Sequence, residues 1–194
     1  MEFNLQKLCA ITIIVGSLLF LIAAFSPVSR VFGETVAANK LEIIMESLNQ
    51  WKITQFLFAA GAIATCIGVA LTGMLFRDQA FSIVILVSVV LLFIGAIFWT
   101  WHVYLRAVDP LSFTEGSIPA WLFVVYTFST QAGMIIFGVA LLRMGLPEWS
   151  GWLMIGSMVL FFLLTVIFRD MPPFVYYAIT LVIGVLMYRA EQLV

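Results

Sequence analysis

The chain has 194 residues, of which 64% are hydrophobic and only 10% are charged, and its formal net charge is −1. A soluble domain carries about 45–50% apolar and about 25% charged residues, so this composition argues against a water-soluble protein. The near-neutral charge also argues against the basic surface that nucleic-acid binding requires, and nucleic acid is not an expected partner.

Six apolar stretches are long enough to cross a membrane as helices, for which about 20 residues suffice. They cover about residues 5–25, 51–76, 80–105, 119–142, 149–168 and 172–189. Backbone groups in lipid must be hydrogen-bonded within the segment, and barrel strands would be about half this length. We therefore predict an all-α polytopic membrane protein, a six-transmembrane-helix bundle that forms one domain over residues 1–194. The first stretch has a weakly basic start and a long apolar run, so we interpret it as a retained span.

The connection between the first two spans is the longest in the chain. Within it, Leu41, Ile44, Leu48 and Trp51 recur at helical spacing, while charged and amide residues fall largely on other faces. This pattern predicts an amphipathic helix over about residues 34–50, lying at the membrane interface or continuing into the second span.

Small residues in the second span favour close helix packing. Ala60, Ala64 and Gly68 form one stripe, and Gly61 and Thr65 lie on a neighbouring one. Where no hydrophobic force drives association, such residues let two helix backbones approach closely.

Six spans place both termini on one side of the membrane, which we call side A. Its two short turns carry Arg77 and Arg143, whereas the opposite side, side B, has the longer loops. Basic residues in short turns favour a cytoplasmic location. We therefore expect the N and C termini to be cytoplasmic.

The only histidine, His102, lies near the side-B end of the third span. Trp99, His102, Arg106 and Asp109 share one helix face, and Arg106 and Asp109 can pair. One interpretation is an interfacial anchor, with aromatic residues at the rim and a snorkelling arginine. The other is the wall of a polar pocket that binds a head group or a small anion.

Three further polar residues are candidates for ligand binding. Arg169 and Asp170, where the fifth span turns into the sixth, could join the side-B pocket. Gln131 lies near the centre of the fourth span, where it either hydrogen-bonds to another helix or contacts a substrate. No charged residue is placed at mid-depth, which argues against an ion-coupled carrier.

Motifs of the common hydrolases, nucleotide-binding proteins and metalloproteases are absent from the sequence. Cys9 and Cys66 fall inside apolar runs and are typical of small buried side chains. We therefore predict no catalytic residue, no metal site and no cofactor, and enzymatic activity is not favoured.

The segment FGVALLRMGLPEWSGWLMIGSM, residues 137–158, resembles the helix, turn and following helix of DUF4386-type bacterial multi-pass membrane proteins. The likeness is carried by small, basic, proline and tryptophan residues: Gly138, Arg143, Gly145, Leu146, Pro147, Trp149, Gly151 and Trp152. The resemblance implies a protein of a bacterial inner membrane with no assigned activity, and it transfers no catalytic residue.

The sequence thus favours a non-enzymatic membrane protein that binds a lipid, a small amphiphile or a protein partner through a side-B pocket. Two alternatives are a small-molecule transporter or channel with a path past Gln131, and an accessory subunit of a larger membrane complex.

Overall fold

The structure of the protein, a computed structural model, describes residues 4–168 and 173–191. All the regular structure in those residues is helical. It comprises a 3₁₀ segment, Pro27–Gly33, and the helices α1 (Leu5–Ala24), α2 (Ala37–Glu46), α3 (Leu48–Leu75), α4 (Ser82–Val108), α5 (Pro110–Thr114), α6 (Ala120–Leu141), α7 (Glu148–Phe168) and α8 (Phe174–Arg189).

Six of these helices are the predicted spans. In the described residues, α1, α3, α4, α6 and α7 are long and apolar enough to cross a membrane, and α8 is a shorter apolar helix of 16 residues. The prediction of an all-α membrane protein built from six apolar helices is confirmed.

The connection between α1 and α3 differs from the single amphipathic helix predicted over residues 34–50. The 3₁₀ segment comes first, with Pro27 at its start, where the missing N–H is not needed. Helix α2 then runs only to Glu46, because Ser47 leaves the helical region at φ −136° and ψ 44°. The break lets Ile44 on α2 and Trp51 on α3 enter the same buried cluster, in which both are 0% exposed.

The six apolar helices pack in the order α8, α1, α3, α4, α6 and α7, each against the next. Helices α7 and α8, which would complete the ring, touch only lightly in the described residues. The weakest contact around the ring of six helices, in the described residues, is therefore the one between α7 and α8.

The closest packing joins α1 to α3 at glycines. A Cβ atom placed on Gly61 would lie 2.8 Å from the Gly16 carbonyl oxygen and 2.8 Å from the backbone nitrogen of Phe20. A Cβ atom on Gly68 would lie 2.9 Å from the Ile13 backbone nitrogen. Of the predicted small residues, the buried Gly61, Thr65 and Gly68 face α1.

Hydrogen bonds between helices fix the other contacts. The hydroxyls of Ser17 on α1 and Thr180 on α8 lie 2.8 Å apart, and both are buried. The Ser88 hydroxyl on α4 donates to the Gly133 carbonyl on α6 at 2.8 Å. An interhelical hydrogen bond in a membrane contributes about 0.6 kcal/mol on average, so these bonds set register more than stability.

Aromatic side chains fill the side-B half of the interior. Phe20 stacks on Tyr177 at 3.6 Å between ring centroids, and Trp99 stacks on Tyr126 at 4.3 Å. Phe20 and Phe58 meet edge to face at 4.7 Å. This packed aromatic layer forms the floor beneath the end of α4.

Candidate functional site

The side-B end of the bundle is covered by the three elements that do not span it. Residues of the 3₁₀ segment, α2 and the start of α3 form a separate buried cluster of Val28, Val31, Ile44 and Trp51. Phe113 of α5 packs against it. This cover lies directly over the last turn of α4, which carries Arg106.

The backbone at the end of α4 explains why Trp51 is buried here. In a continuing helix the Arg106 carbonyl would accept a hydrogen bond from residue 110, but that residue is Pro110 and has no N–H. The Trp51 indole Nε1–H donates to this carbonyl instead, at 2.9 Å. One side chain thus ties α3 to the end of α4 and satisfies a buried acceptor.

Replacing Trp51 with phenylalanine is expected to lower thermal stability, because the Arg106 carbonyl loses its donor while an aromatic ring is kept. Loss of one buried hydrogen bond costs about 1 kcal/mol, which in a chain of this size lowers the melting temperature by about 2–4 °C. The two cysteines, Cys9 and Cys66, are both buried, so reaction with a thiol-reactive fluorophore during heating reports unfolding.

The matched control is Trp152→Phe, because Trp152 is 61% exposed on α7. That variant is expected to have the same melting temperature as the wild-type protein. Equal melting temperatures for Trp51→Phe and Trp152→Phe would show that the hydrogen bond to Arg106 contributes nothing measurable.

The Arg106 side chain lies in a cage of aromatic rings. Its guanidinium carbon is 5.0 Å from the Phe113 ring centroid, 5.4 Å from Phe32 and 5.6 Å from Trp99. These rings come from α5, the 3₁₀ segment and α4, so the cage forms only when the side-B cover is folded. A desolvated cation over an aromatic face gains about 2 kcal/mol or more, which offsets part of the cost of burial.

The guanidinium has no carboxylate partner in the part of the chain that the structure describes. Ion pairs there join Arg30 to Glu46 and Arg77 to Asp78, and both are exposed. The Nε atom of Arg106 is buried and has no hydrogen-bond acceptor among the described residues. Arg106 is therefore a partly buried charged group, flanked by aromatic rings, without a compensating anion in residues 4–168 and 173–191.

The predicted pairing of Arg106 with Asp109 is wrong. The Asp109 carboxylate instead caps α5, accepting hydrogen bonds from the Ser112 hydroxyl at 2.6 Å and from the Ser112 backbone N–H at 3.0 Å. These bonds hold the pKa of the exposed Asp109 carboxyl below its ordinary value. Asp109 prefers this role because the α5 N-terminus offers free N–H groups that a carboxylate satisfies.

His102 is buried rather than placed at an exposed rim. It is 6% exposed, and its ring lies 5.9 Å from the rings of both Trp99 and Phe123. Both ring nitrogens are buried without a hydrogen-bond partner among the described residues. Trp99 is also buried, so the exposed aromatic residues of this region are Trp101 and Tyr104, on the outer face of α4.

Gln55 on α3 is a candidate that the sequence prediction missed. It is 2% exposed, and neither its amide nitrogen nor its amide oxygen has a partner within the described residues. Its neighbours on the same helix face, Trp51 and Phe58, lie 5.9 Å and 6.2 Å from Phe32, which is a wall of the Arg106 cage. Gln55 therefore lies on the α3 face that packs against Phe32 and Trp99, the rings that Arg106 also contacts. Its signal in the sequence was a lone glutamine beside Trp51 at helical spacing.

Gln131 lies apart from this group. It follows Phe123, the neighbour of His102, by two helical turns, about 12 Å along α6. Its amide nitrogen reaches the Thr165 hydroxyl on α7 at 3.5 Å, and its amide oxygen is buried without a partner in the described chain. Arg169 and Asp170, also predicted for the site, lie outside the described residues.

Two cavities complete the local geometry. A cavity of about 10 Å³, the size of one water molecule, is lined by residues that include Thr65, Tyr126 and Thr130. A groove of about 520 Å³ lies between α3 and α4 and is lined mostly by apolar residues, together with Thr100, Trp101 and Tyr104. That groove is on the face of α4 opposite to His102 and Arg106, so it is separate from the cage.

Comparison with known proteins adds no assignment. The chain matches no protein-family model, no curated protein and no solved structure. Its function is therefore inferred from its own geometry.

Proposed function

We propose that this integral membrane protein binds the anionic head group of a membrane amphiphile at Arg106. The observation that carries the proposal is the partly buried guanidinium flanked by Phe32, Trp99 and Phe113 with no carboxylate partner among the described residues. Partial removal of a charge from water without a partner is unfavourable. A bound anion would offset that cost.

The chemistry of the cage suits such a ligand. Aromatic faces fix the plane of the guanidinium, and its N–H groups can then bind a phosphate or carboxylate through two parallel hydrogen bonds. The rings also shield the guanidinium from water on their side, which strengthens an ion pair relative to one in bulk solvent.

The position along α4 favours an amphiphile over a water-soluble anion. Trp101 and Tyr104 precede Arg106 by less than two turns and are 48% and 61% exposed. Exposed tryptophan and tyrosine at the end of an apolar helix are typical of the head-group level of a bilayer. Arg106 would therefore lie at the depth where lipid phosphates are found.

The proposal is tested by ligand-dependent thermal stability. Purified protein in a neutral detergent is titrated with phosphatidylglycerol or with phosphatidylcholine, and unfolding is followed through Cys9 and Cys66. A ligand at 100 times its Kd stabilises by about 2.7 kcal/mol, so the anionic lipid is expected to raise the melting temperature by about 5–10 °C in a chain of this size. Phosphatidylcholine is expected to have a much smaller effect.

Matched arginine variants locate the effect. Arg106→Gln is expected to lose the increase, whereas Arg143→Gln, at an exposed position in the turn after α6, is expected to keep it. An equal increase in the two variants would mean that the lipid acts elsewhere, and the proposal would fail.

We also propose that the protein resides in a bacterial inner membrane with side A in the cytoplasm. Arg77 and Arg143 in the two short side-A turns support this orientation. A green fluorescent protein fused after the C terminus is expected to fluoresce and an alkaline phosphatase fused there to be inactive. The opposite pair of results would reverse the orientation.

A further inference from the structure

The polar atoms on the helix faces that meet the Arg106 cage include both donors and acceptors. The Gln55 amide supplies an N–H₂ donor and a carbonyl acceptor, and both atoms lack partners among the described residues. His102 adds two unpartnered ring nitrogens, of which the neutral imidazole presents one as donor and one as acceptor. Arg106 contributes donors only.

A simple anion would satisfy only part of this set. Phosphate and carboxylate oxygens accept hydrogen bonds, so they would pair with the Arg106 guanidinium and with N–H groups of Gln55 and His102. The Gln55 carbonyl oxygen would remain buried and unpaired, at a cost of about 1–3 kcal/mol. A ligand that also carries a hydrogen-bond donor avoids this cost.

The charge of the site indicates which donor is suitable. An ammonium group would lie beside the Arg106 cation with no described carboxylate to neutralise either charge, so two like charges would repel each other at close range. A hydroxyl group donates to the Gln55 oxygen without adding charge. The donor that fits is therefore neutral.

We infer that the Arg106 site selects a head group carrying a hydroxyl beside its phosphate, and that Gln55 is the residue that reads this hydroxyl. The chemical class is a polyol phosphate such as glycerol phosphate. The inference rests on the proposed binding of an anion at Arg106, and it adds selectivity among anions.

The test compares two lipids with the same charge. Phosphatidylglycerol and phosphatidylmethanol both carry a phosphodiester with one negative charge, but only the former has free hydroxyls. The wild-type protein is expected to bind phosphatidylglycerol about tenfold more tightly, since one satisfied buried acceptor is worth about one factor of ten. Binding is measured by titration of the melting temperature in neutral detergent.

Glutamine variants assign the selectivity. Gln55→Leu keeps the size and removes both polar atoms, so it is expected to bind the two lipids equally while still binding phosphatidylmethanol. Gln79→Leu, at an exposed position between α3 and α4, is expected to keep the tenfold preference. Should Gln55→Leu fail to fold, Gln55→Met serves as the second variant, and the wild-type comparison is decisive by itself.

The outcomes separate this inference from the proposed function. Equal wild-type binding of the two lipids, lost in Arg106→Gln, would overturn the hydroxyl selectivity and leave the anion site intact. Absence of stabilisation by either lipid would overturn both. A third measurement uses glycerophosphoglycerol, which is the same head group without acyl chains. An affinity comparable to that of phosphatidylglycerol would support the selectivity and identify a water-soluble source for the ligand.

Discussion

Replacing Gly61 with alanine is expected to lower the melting temperature of the detergent-solubilised protein by about 2–12 °C. The added Cβ would lie 2.8 Å from two backbone atoms of α1, the Gly16 oxygen and the Phe20 nitrogen, so no rotamer change can relieve the contact. Helix α1 must move instead, and it also carries Ser17 and Phe20, which hold α8. Overpacking of this kind costs about 1–3 kcal/mol, and about 2–4 °C accompanies each kcal/mol in a chain of this size.

Gly156→Ala is the matched control. Gly156 lies within α7, and a Cβ there would meet nothing within 4 Å. Alanine favours helix over glycine by about 0.5–1 kcal/mol, so this variant is expected to melt at or slightly above the wild-type temperature. If Gly61→Ala and Gly156→Ala have the same melting temperature, the close approach of α1 and α3 is not a determinant of stability.

Replacing Arg106 with methionine is expected to separate stability from binding. In lipid-free detergent the variant should melt close to the wild-type temperature, because a partly buried cation without an ion-pair partner is replaced by an apolar side chain of similar length. The lost cation–π attraction, about 0.5–2 kcal/mol, is offset by the cost of partly desolvating the ion. The stabilisation by phosphatidylglycerol should disappear. The melting temperature without lipid reports the stability of the variant, and its increase on addition of phosphatidylglycerol reports lipid binding.

The opposite pattern would be informative. A large fall in the melting temperature of lipid-free Arg106→Met would indicate that the guanidinium has an internal partner and needs no ligand. Arg143→Met, at the exposed turn, is the control and is expected to change neither quantity.

The spans could be predicted from the sequence because membrane crossing depends on length and composition alone. The predicted stretch 80–105 and the observed α4, Ser82–Val108, differ by only a few residues at each end. The 3₁₀ segment and α5 were missed because seven and five residues are too few to show a helical repeat of apolar residues over several turns. Ser47 ends α2 for a tertiary reason, since Ile44 and Trp51 pack into one cluster.

The site was predicted in part. Sequence spacing placed Trp99, His102 and Arg106 on one face, and the structure brings Trp99 and Arg106 into contact. Sequence spacing could not place Phe32 and Phe113 over the guanidinium, because those contacts join segments that are distant in the chain. The helical spacing also suggested an ion pair between Asp109 and Arg106. The Asp109 carboxylate instead accepts a hydrogen bond from the Ser112 backbone N–H, three residues away. Gln55 was missed because its helical spacing from Trp51 does not by itself show which side of α3 faces the interior.

The most direct test of the anion site is native mass spectrometry of protein extracted from membranes without added lipid. The wild-type protein and Arg143→Gln are predicted to retain one anionic lipid per chain after mild activation, with the mass of a hydroxyl-bearing phospholipid, and Arg106→Gln is predicted to retain none. Equal retention by Arg106→Gln and Arg143→Gln would contradict the assignment of Arg106 as the head-group site.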